Sequence, residues 1–316
     1  MIRATRFNGG GNPPFFNANQ MSVAVLGSSG YIGQNLLKYL KDNDYAYRSL
    51  GRRNTQSIYK TAGSNDDVNT KTEESCWLPL EGCTSLVHLA WNGTPRTKKA
   101  TGKDIINQKL IKLSVESCMQ YDVKEIIFIS SGGAIYGETD SRYINEDHPC
   151  SPKSQYGINK LAAELYIRQL CAPLKQLKLT ILRPSNIYGG MFPSDKKNGF
   201  INVVSSILKN NETVHLQGPD TVRDFLHVHD LCTSIELSLK RTGHRLETYN
   251  VGSSIGFKLK DVMSLLVNKY TSSSSEIVYS ERPTYEPTRN VLMINKAKND
   301  LNWSPTITLE EGVQRL

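Results

Sequence analysis

The stretch from residue 22 to residue 40 constrains the fold more than any other part of the chain. Ser22-Val-Ala-Val-Leu-Gly27 is a short apolar run of β character that enters Gly27-Ser-Ser-Gly30-Tyr-Ile-Gly33. A helical pattern follows, with Ile32, Leu36, Leu37 and Leu40 on one face. Glycines at such a turn permit close approach of the backbone. The helix N-terminus behind them offers N–H groups and a positive dipole end to a pyrophosphate. The spacing is G-x-x-G-x-x-G instead of G-x-G-x-x-G, so the motif alone also suits an ordinary strand-turn-helix connection.

The next strand, expected over 46–50, ends in Gly51-Arg52-Arg53. An acidic residue about twenty positions past the glycine turn would bond the ribose 2′-hydroxyl of NAD. Two arginines stand near that place. Guanidinium groups suit a 2′-phosphate, so NADP is the expected cofactor, with NAD the alternative. The same pair could be solvated surface charge. Further strands are expected at 85–90, 125–130 and 179–183, with helical segments around 104–121 and 154–171. This alternation predicts an α/β fold of Rossmann type, a doubly wound parallel sheet with ligands at the carboxyl ends of its strands.

Within Ser154-Gln-Tyr156-Gly-Ile-Asn-Lys160, the tyrosine and lysine are four apart and share a helix face. A lysine ammonium near a phenol lowers its pKa from about 10 towards neutrality, so that the hydroxyl can act as acid or base. Y-x-x-x-K occurs by chance in many helices. Here it follows both a glycine turn and a strand ending in Ser130-Ser131-Gly-Gly-Ala-Ile-Tyr-Gly137.

With these residues in order, residues 21–316 resemble the extended short-chain dehydrogenase/reductase superfamily, in particular its nucleotide-sugar epimerase/dehydratase group. The resemblance runs through GSSGYIG at 27–33, HLAW at 88–91, Asn107 and EIIFISSGGAIYG at 125–137. It continues through SQYGINKLAAE at 154–164, LRPSNIYGG at 182–190, VRDFLHVHDL at 222–231, YNVGSS at 249–254 and KAKNDLNWSPTITLEEGV at 296–313. It implies that Tyr156 is the acid/base at a sugar hydroxyl or ketone and that Lys160 holds the nicotinamide ribose and depresses the tyrosine pKa. Gly27, Gly30, Tyr31, Ile32 and Gly33 would line the pyrophosphate, with Ala90 and Asn107 near the cofactor. Asn186, Arg223 and Arg282 match positions that receive the diphosphate of a nucleotide-sugar.

The chain departs from the family pattern at the third catalytic hydroxyl, where Gly132 stands, so Ser131, Ser130, a water or a backbone group is left to orient the substrate oxygen. The dehydratase branch carries Thr-Asp-Glu where this chain has Gly132-Gly133-Ala134, which disfavours elimination of water. His227-Val-His229 lacks an evident third ligand, and no metal site is expected.

Two activities follow from the resemblance. One is NADPH-dependent reduction of the C4 ketone of a nucleotide-activated sugar, such as a dTDP-4-keto-6-deoxyhexose, in deoxysugar or surface-polysaccharide biosynthesis. The other is a UDP-glucose-type 4-epimerase with tightly bound NAD. Because a fold does not fix a function, a non-catalytic regulator is the third reading. The dinucleotide domain is expected over 21–186 plus 225–256. A smaller nucleotide-sugar domain is expected over 187–224 plus 257–316. A homodimer through the helices around 104–121 and 154–171 is implied by resemblance.

The net charge of +8 invites a nucleic-acid reading, but no basic stripe with interleaved aromatics supports one. No apolar run is long enough to span a bilayer, so no membrane association is expected. The six cysteines form no C-x-x-C pair, which fits reduced thiols in the cytoplasm. Residues 1–20, with Gly9-Gly-Gly11 and Pro13-Pro14, are expected to be a disordered leader.

Overall fold

The structure, a computed structural model, describes residues 21–51, 78–94, 103–192, 199–270 and 273–316. The expected leader and the Arg52-Arg53 pair lie outside the described residues.

Strands β1 (Ser22–Leu26), β2 (Ala46–Leu50), β3 (Ser85–His88), β4 (Glu125–Ile129) and β5 (Lys178–Pro184) alternate with helices α1 (Tyr31–Asp42), α2 (Lys103–Gln120), the one-turn α3 (Gly132–Ile135) and α4 (Gln155–Cys171). Every residue of β1, β3 and β4 is buried, as a sheet covered on both faces requires. Alternation along each strand feeds two cores. Val23, Val25, Val87 and Ile127 meet Leu36 and Leu40 of α1 on one face. On the other, Ala24, Leu26, Leu86, Ile126 and Phe128 meet Ile111 and Val115 of α2 and Ala163 and Ile167 of α4.

Beyond β5 come β6 (Asn186–Tyr188), α5 (Phe200–Lys209), β7 (Val214–Gln217), β8 (Val222–His227), α6 (Val228–Lys240) and β9 (Leu246–Val251). The chain then continues through β10 (Gly256–Lys258), α7 (Leu259–Lys269), β11 (Ile277–Ser280), β12 (Arg289–Asn290), α8 (Asn295–Leu301) and α9 (Leu309–Gln314). The main sheet has the order β2-β1-β3-β4-β5-β9 and is parallel throughout. Its order reverses between β1 and β3, so the switch-point crevice opens beside Gly27. In a second lobe, β8 pairs with β6, β10 and β12, while β7 pairs with β11. The apolar sides of α5, α7 and α9 enclose a third core.

Residues 257–316 do not all join that lobe. Ala297 and Leu301 of α8, with Trp303, enter the same core as β1, α1 and α6. The indole N–H of Trp303 donates to the Asp230 carbonyl at 3.1 Å. An apolar helix face followed by a buried tryptophan finds its cover on the larger sheet, so the chain returns there a second time after β9.

Among the described residues, no helix is long and apolar enough to cross a membrane.

Candidate active site

The glycine turn is shaped by steric necessity. Gly27 has φ +91°, and a Cβ there would lie 2.6 Å from the Ala90 nitrogen, so only glycine lets the ends of β1 and β3 come this close. A Cβ on Gly33 would meet the Gly27 carbonyl at 2.4 Å, which seats α1 directly on the turn. Gly30 is the N-cap of α1, and no side chain caps that end. A close-approach cradle in front of an uncapped helix N-terminus fits a dinucleotide pyrophosphate. The Tyr31 phenol donates to the Gly189 carbonyl at 2.6 Å, tying α1 to the loop after β6.

The cleft in front of this turn has a volume of about 400 Å³. Gly27, Gly30, Tyr31, Ile32 and Gly33 line it together with Ser130, Ser131, Tyr156, Lys160, Asn186 and Arg223. Ala90 and Asn107 stand behind that wall. The Asn107 side chain accepts from the Asn92 N–H at 2.8 Å and donates to the Asn92 carbonyl at 3.0 Å, fixing the segment after β3. Ala90 closes against Gly27, and its carbonyl lies 3.2 Å from His88 Nε2. Burial holds His88 uncharged by lowering its pKa to about 3.

The hydroxyl wall comes from the end of β4 and the start of α4. Ser154 caps α4 by accepting from the Gly157 N–H at 3.1 Å. A Cβ on Gly157 would lie 2.3 Å from the Ala134 carbonyl, so glycine at this position brings Tyr156 up to the β4 end. Ser131 is the N-cap of α3, and the Ser130 Oγ is buried without a hydrogen-bond partner. Gly132 has no room for a side chain, since its Cβ would fall 2.6 Å from Leu292 Cδ1 and 2.8 Å from the Arg183 carbonyl. The usual hydroxyl position is thus sterically closed, and Ser131 is the hydroxyl that acts on Tyr156.

Two sequence expectations change here. Burial, not Lys160, sets the direction of the Tyr156 pKa. Removal from water pushes the phenol up to about 12, and the influence working downward is Ser131. The Lys160 ammonium instead donates to the Ile129 carbonyl at 2.9 Å and lies 3.8 Å from the centre of the Trp91 ring. Burial brings its own pKa down to about 7, with Glu164 opposing. Arg282 does not line the cleft. Its guanidinium is taken up by the Pro283 and Glu286 carbonyls and lies 3.9 Å from Glu138, so it braces the turn at 283–286.

Glu286, carried on that turn, is the sole carboxylate among the described lining residues. It accepts from Arg223 at 3.2 Å, and Arg223 also donates to the Val222 carbonyl. Asn186 donates to the Asp224 carbonyl at 2.9 Å. Sequence reasoning missed Trp91 and Glu286 as site residues. Trp91 was visible within HLAW, whereas no pattern marks Glu286.

Nearby, His227 is occupied structurally. Its Nδ1 accepts from the His229 N–H, and its ring packs on Gly189. Burial lowers its pKa to about 4. Among the described residues no group of three potential metal-binding side chains occurs.

Residues 23–252 match the model of the NAD dependent epimerase/dehydratase family. A dTDP-4-dehydro-6-deoxyglucose reductase of Escherichia coli is 27% identical over 236 residues, covering 73% of this chain and 73% of that protein. A UDP-glucose 4-epimerase of Lacticaseibacillus casei is 27% identical over 90% of this chain and 92% of its own. Among solved structures, the UDP-glucose 4-epimerase of Thermotoga maritima with UDP-glucose superposes with a TM-score of 0.77 at 25% identity, covering 93% of this chain and 97% of that one.

Proposed function

The chain belongs to the NAD dependent epimerase/dehydratase family of enzymes, and on that footing we propose that it reduces the C4 ketone of a nucleotide-activated sugar with NADPH. The observation that carries this reading is the meeting of Tyr156, Ser131 and Lys160 with the glycine turn on one cleft. A bound nicotinamide supplies the hydride exchanged at the sugar carbon. Tyr156, protonated well above neutral pH in this setting, is in the form that gives a proton to the oxygen as the ketone is reduced. Ser131 shares that oxygen, and Lys160 holds the ribose. Arg223 and Asn186 receive the diphosphate, and the Arg223 fork suits phosphate oxygens.

NADPH is favoured because Arg52 and Arg53 follow directly on Gly51. The Gly27 N–H donates to the Leu50 carbonyl at 2.8 Å, so β2 ends beside the glycine turn. A 4-epimerase with tightly bound NAD is the second reading, supported by the match to UDP-glucose 4-epimerases over most of the chain. It requires Tyr156 to take a proton before returning one. A 4,6-dehydratase has less support, since Gly133 and Ala134 bring no acid to the cleft. A homodimer is the assembly we expect, with Ile105, Ile158 and Leu165 exposed on α2 and α4.

Incubation with dTDP-4-keto-6-deoxyglucose and NADPH tests the assignment. Stoichiometric loss of NADPH absorbance with a 4-hydroxy product by NMR supports reduction. Exchange of UDP-glucose and UDP-galactose without net cofactor consumption overturns it in favour of epimerisation.

A further inference from the structure

We propose that Trp91 is a positioning residue, holding the Lys160 ammonium at the cofactor cleft through the face of its indole ring. The inference rests on the reading of Lys160 as the group that holds the nicotinamide ribose. Three observations carry it. The ammonium lies 3.8 Å from the Trp91 ring centre, within cation-π range. Trp91 itself lines the cleft, and its ring meets Tyr156 edge-on at 6.4 Å, so one side chain touches both members of the tyrosine–lysine pair. Finally, Lys160 is 5% exposed and, among the described residues, its one hydrogen bond is to the Ile129 carbonyl.

The physical need is clear from the surroundings of the ammonium. Phe128 lies on β4 with its ring centre 5.3 Å away, and burial works against the charge. His88 on β3 is the nearby imidazole, and Tyr156 and Glu164 lie on the same helix as the lysine. Glu164 favours the charge, but its carboxylate is already paired with Arg183 at 2.7 Å. A tryptophan face offers electron density to a desolvated cation without consuming any of its three N–H donors. The ring thus favours the charged form against burial and leaves donors for ribose hydroxyls.

The sign follows. Losing the ring disfavours the charged lysine, so cofactor affinity should fail at lower pH. Calorimetric titration of NADP+ and NAD+ between pH 6 and 8.5 into wild type, Trp91→Phe, Trp91→Leu and Lys160→Met tests this. Wild type should lose affinity as pH rises through neutrality. In Trp91→Leu the midpoint of that loss should move down by about one pH unit, so that affinity is already near its midpoint at pH 6, where wild type keeps most of its own. Trp91→Phe, which keeps a smaller ring and guards against a folding defect, should fall between the two. Lys160→Met should be weak and flat with pH. A Trp91→Leu midpoint equal to wild type, while Lys160→Met is flat, overturns the role of Trp91 alone. A Lys160→Met profile matching wild type overturns the reading of Lys160 and the role of Trp91 with it.

Discussion

The two walls of the cleft are prepared for their ligands in opposite ways. On the glycine side, recognition is left to backbone at an uncapped helix end, with Gly27 and Gly33 keeping side chains out of the way. On the β8 side, the cation is already engaged: Arg223 is held by Glu286, and Arg282 is spent on the turn that carries Glu286. One wall is preformed and open, whereas the other is self-neutralised and, on the proposed function, would have to exchange a carboxylate for a phosphate. The contrast implies that the first ligand meets rigid geometry while the second competes with the protein's own acid.

The sharpest way to test this division is to remove the chemistry and leave both walls standing. Tyr156→Phe should lower kcat by about 10²- to 10⁴-fold, with cofactor and nucleotide-sugar dissociation constants little changed in equilibrium titrations. If binding falls as well, the phenol is part of a wall. Gly33→Ala should break the preformed side. The added carbon lands on a backbone carbonyl that cannot move freely, so a cost of about 1–3 kcal/mol in chemical denaturation is expected, with weaker cofactor binding. Unchanged stability would mean the turn is softer than its contacts imply. Smallest is the effect of Glu286→Gln. Since Glu286 is open to water although Arg223 is buried, loss of the pair is worth about 0.2–1 kcal/mol, and the KM for nucleotide-sugar should fall about two- to five-fold with kcat unaltered. A rise in KM would mean that Glu286 holds the substrate instead of its seat.

The larger sheet was legible because its signals are local and periodic. The buried run at 22–26, the expected strands at 85–90, 125–130 and 179–183, and the helices around 104–121 and 154–171 all occur within a residue or two of their observed limits. What escaped depended on contacts between distant segments. The order of burial and charge effects at Tyr156 could not be read from Y-x-x-x-K, because it depends on where the Lys160 ammonium points. Arg282 carries a charge that suits a diphosphate, but its direction is set by the turn it braces. The allotment of 257–316 to one domain failed for a similar reason, since the apolar face of α8 gives no sign of which sheet it covers. Gly132 was recognised as a departure from the family pattern, yet only the Arg183 carbonyl and Leu292, both far along the chain, explain why no hydroxyl fits there.

That late return of the chain bears on the order in which the protein can be built. The core under β1 and α1 is completed by Ala297, Leu301 and Trp303, and the sheet edge by β9. A ribosome delivers these well after β1 and α1, so the larger lobe is not completed as an early independent unit during synthesis. Its first five strands wait, partly uncovered, until residues 295–303 have emerged.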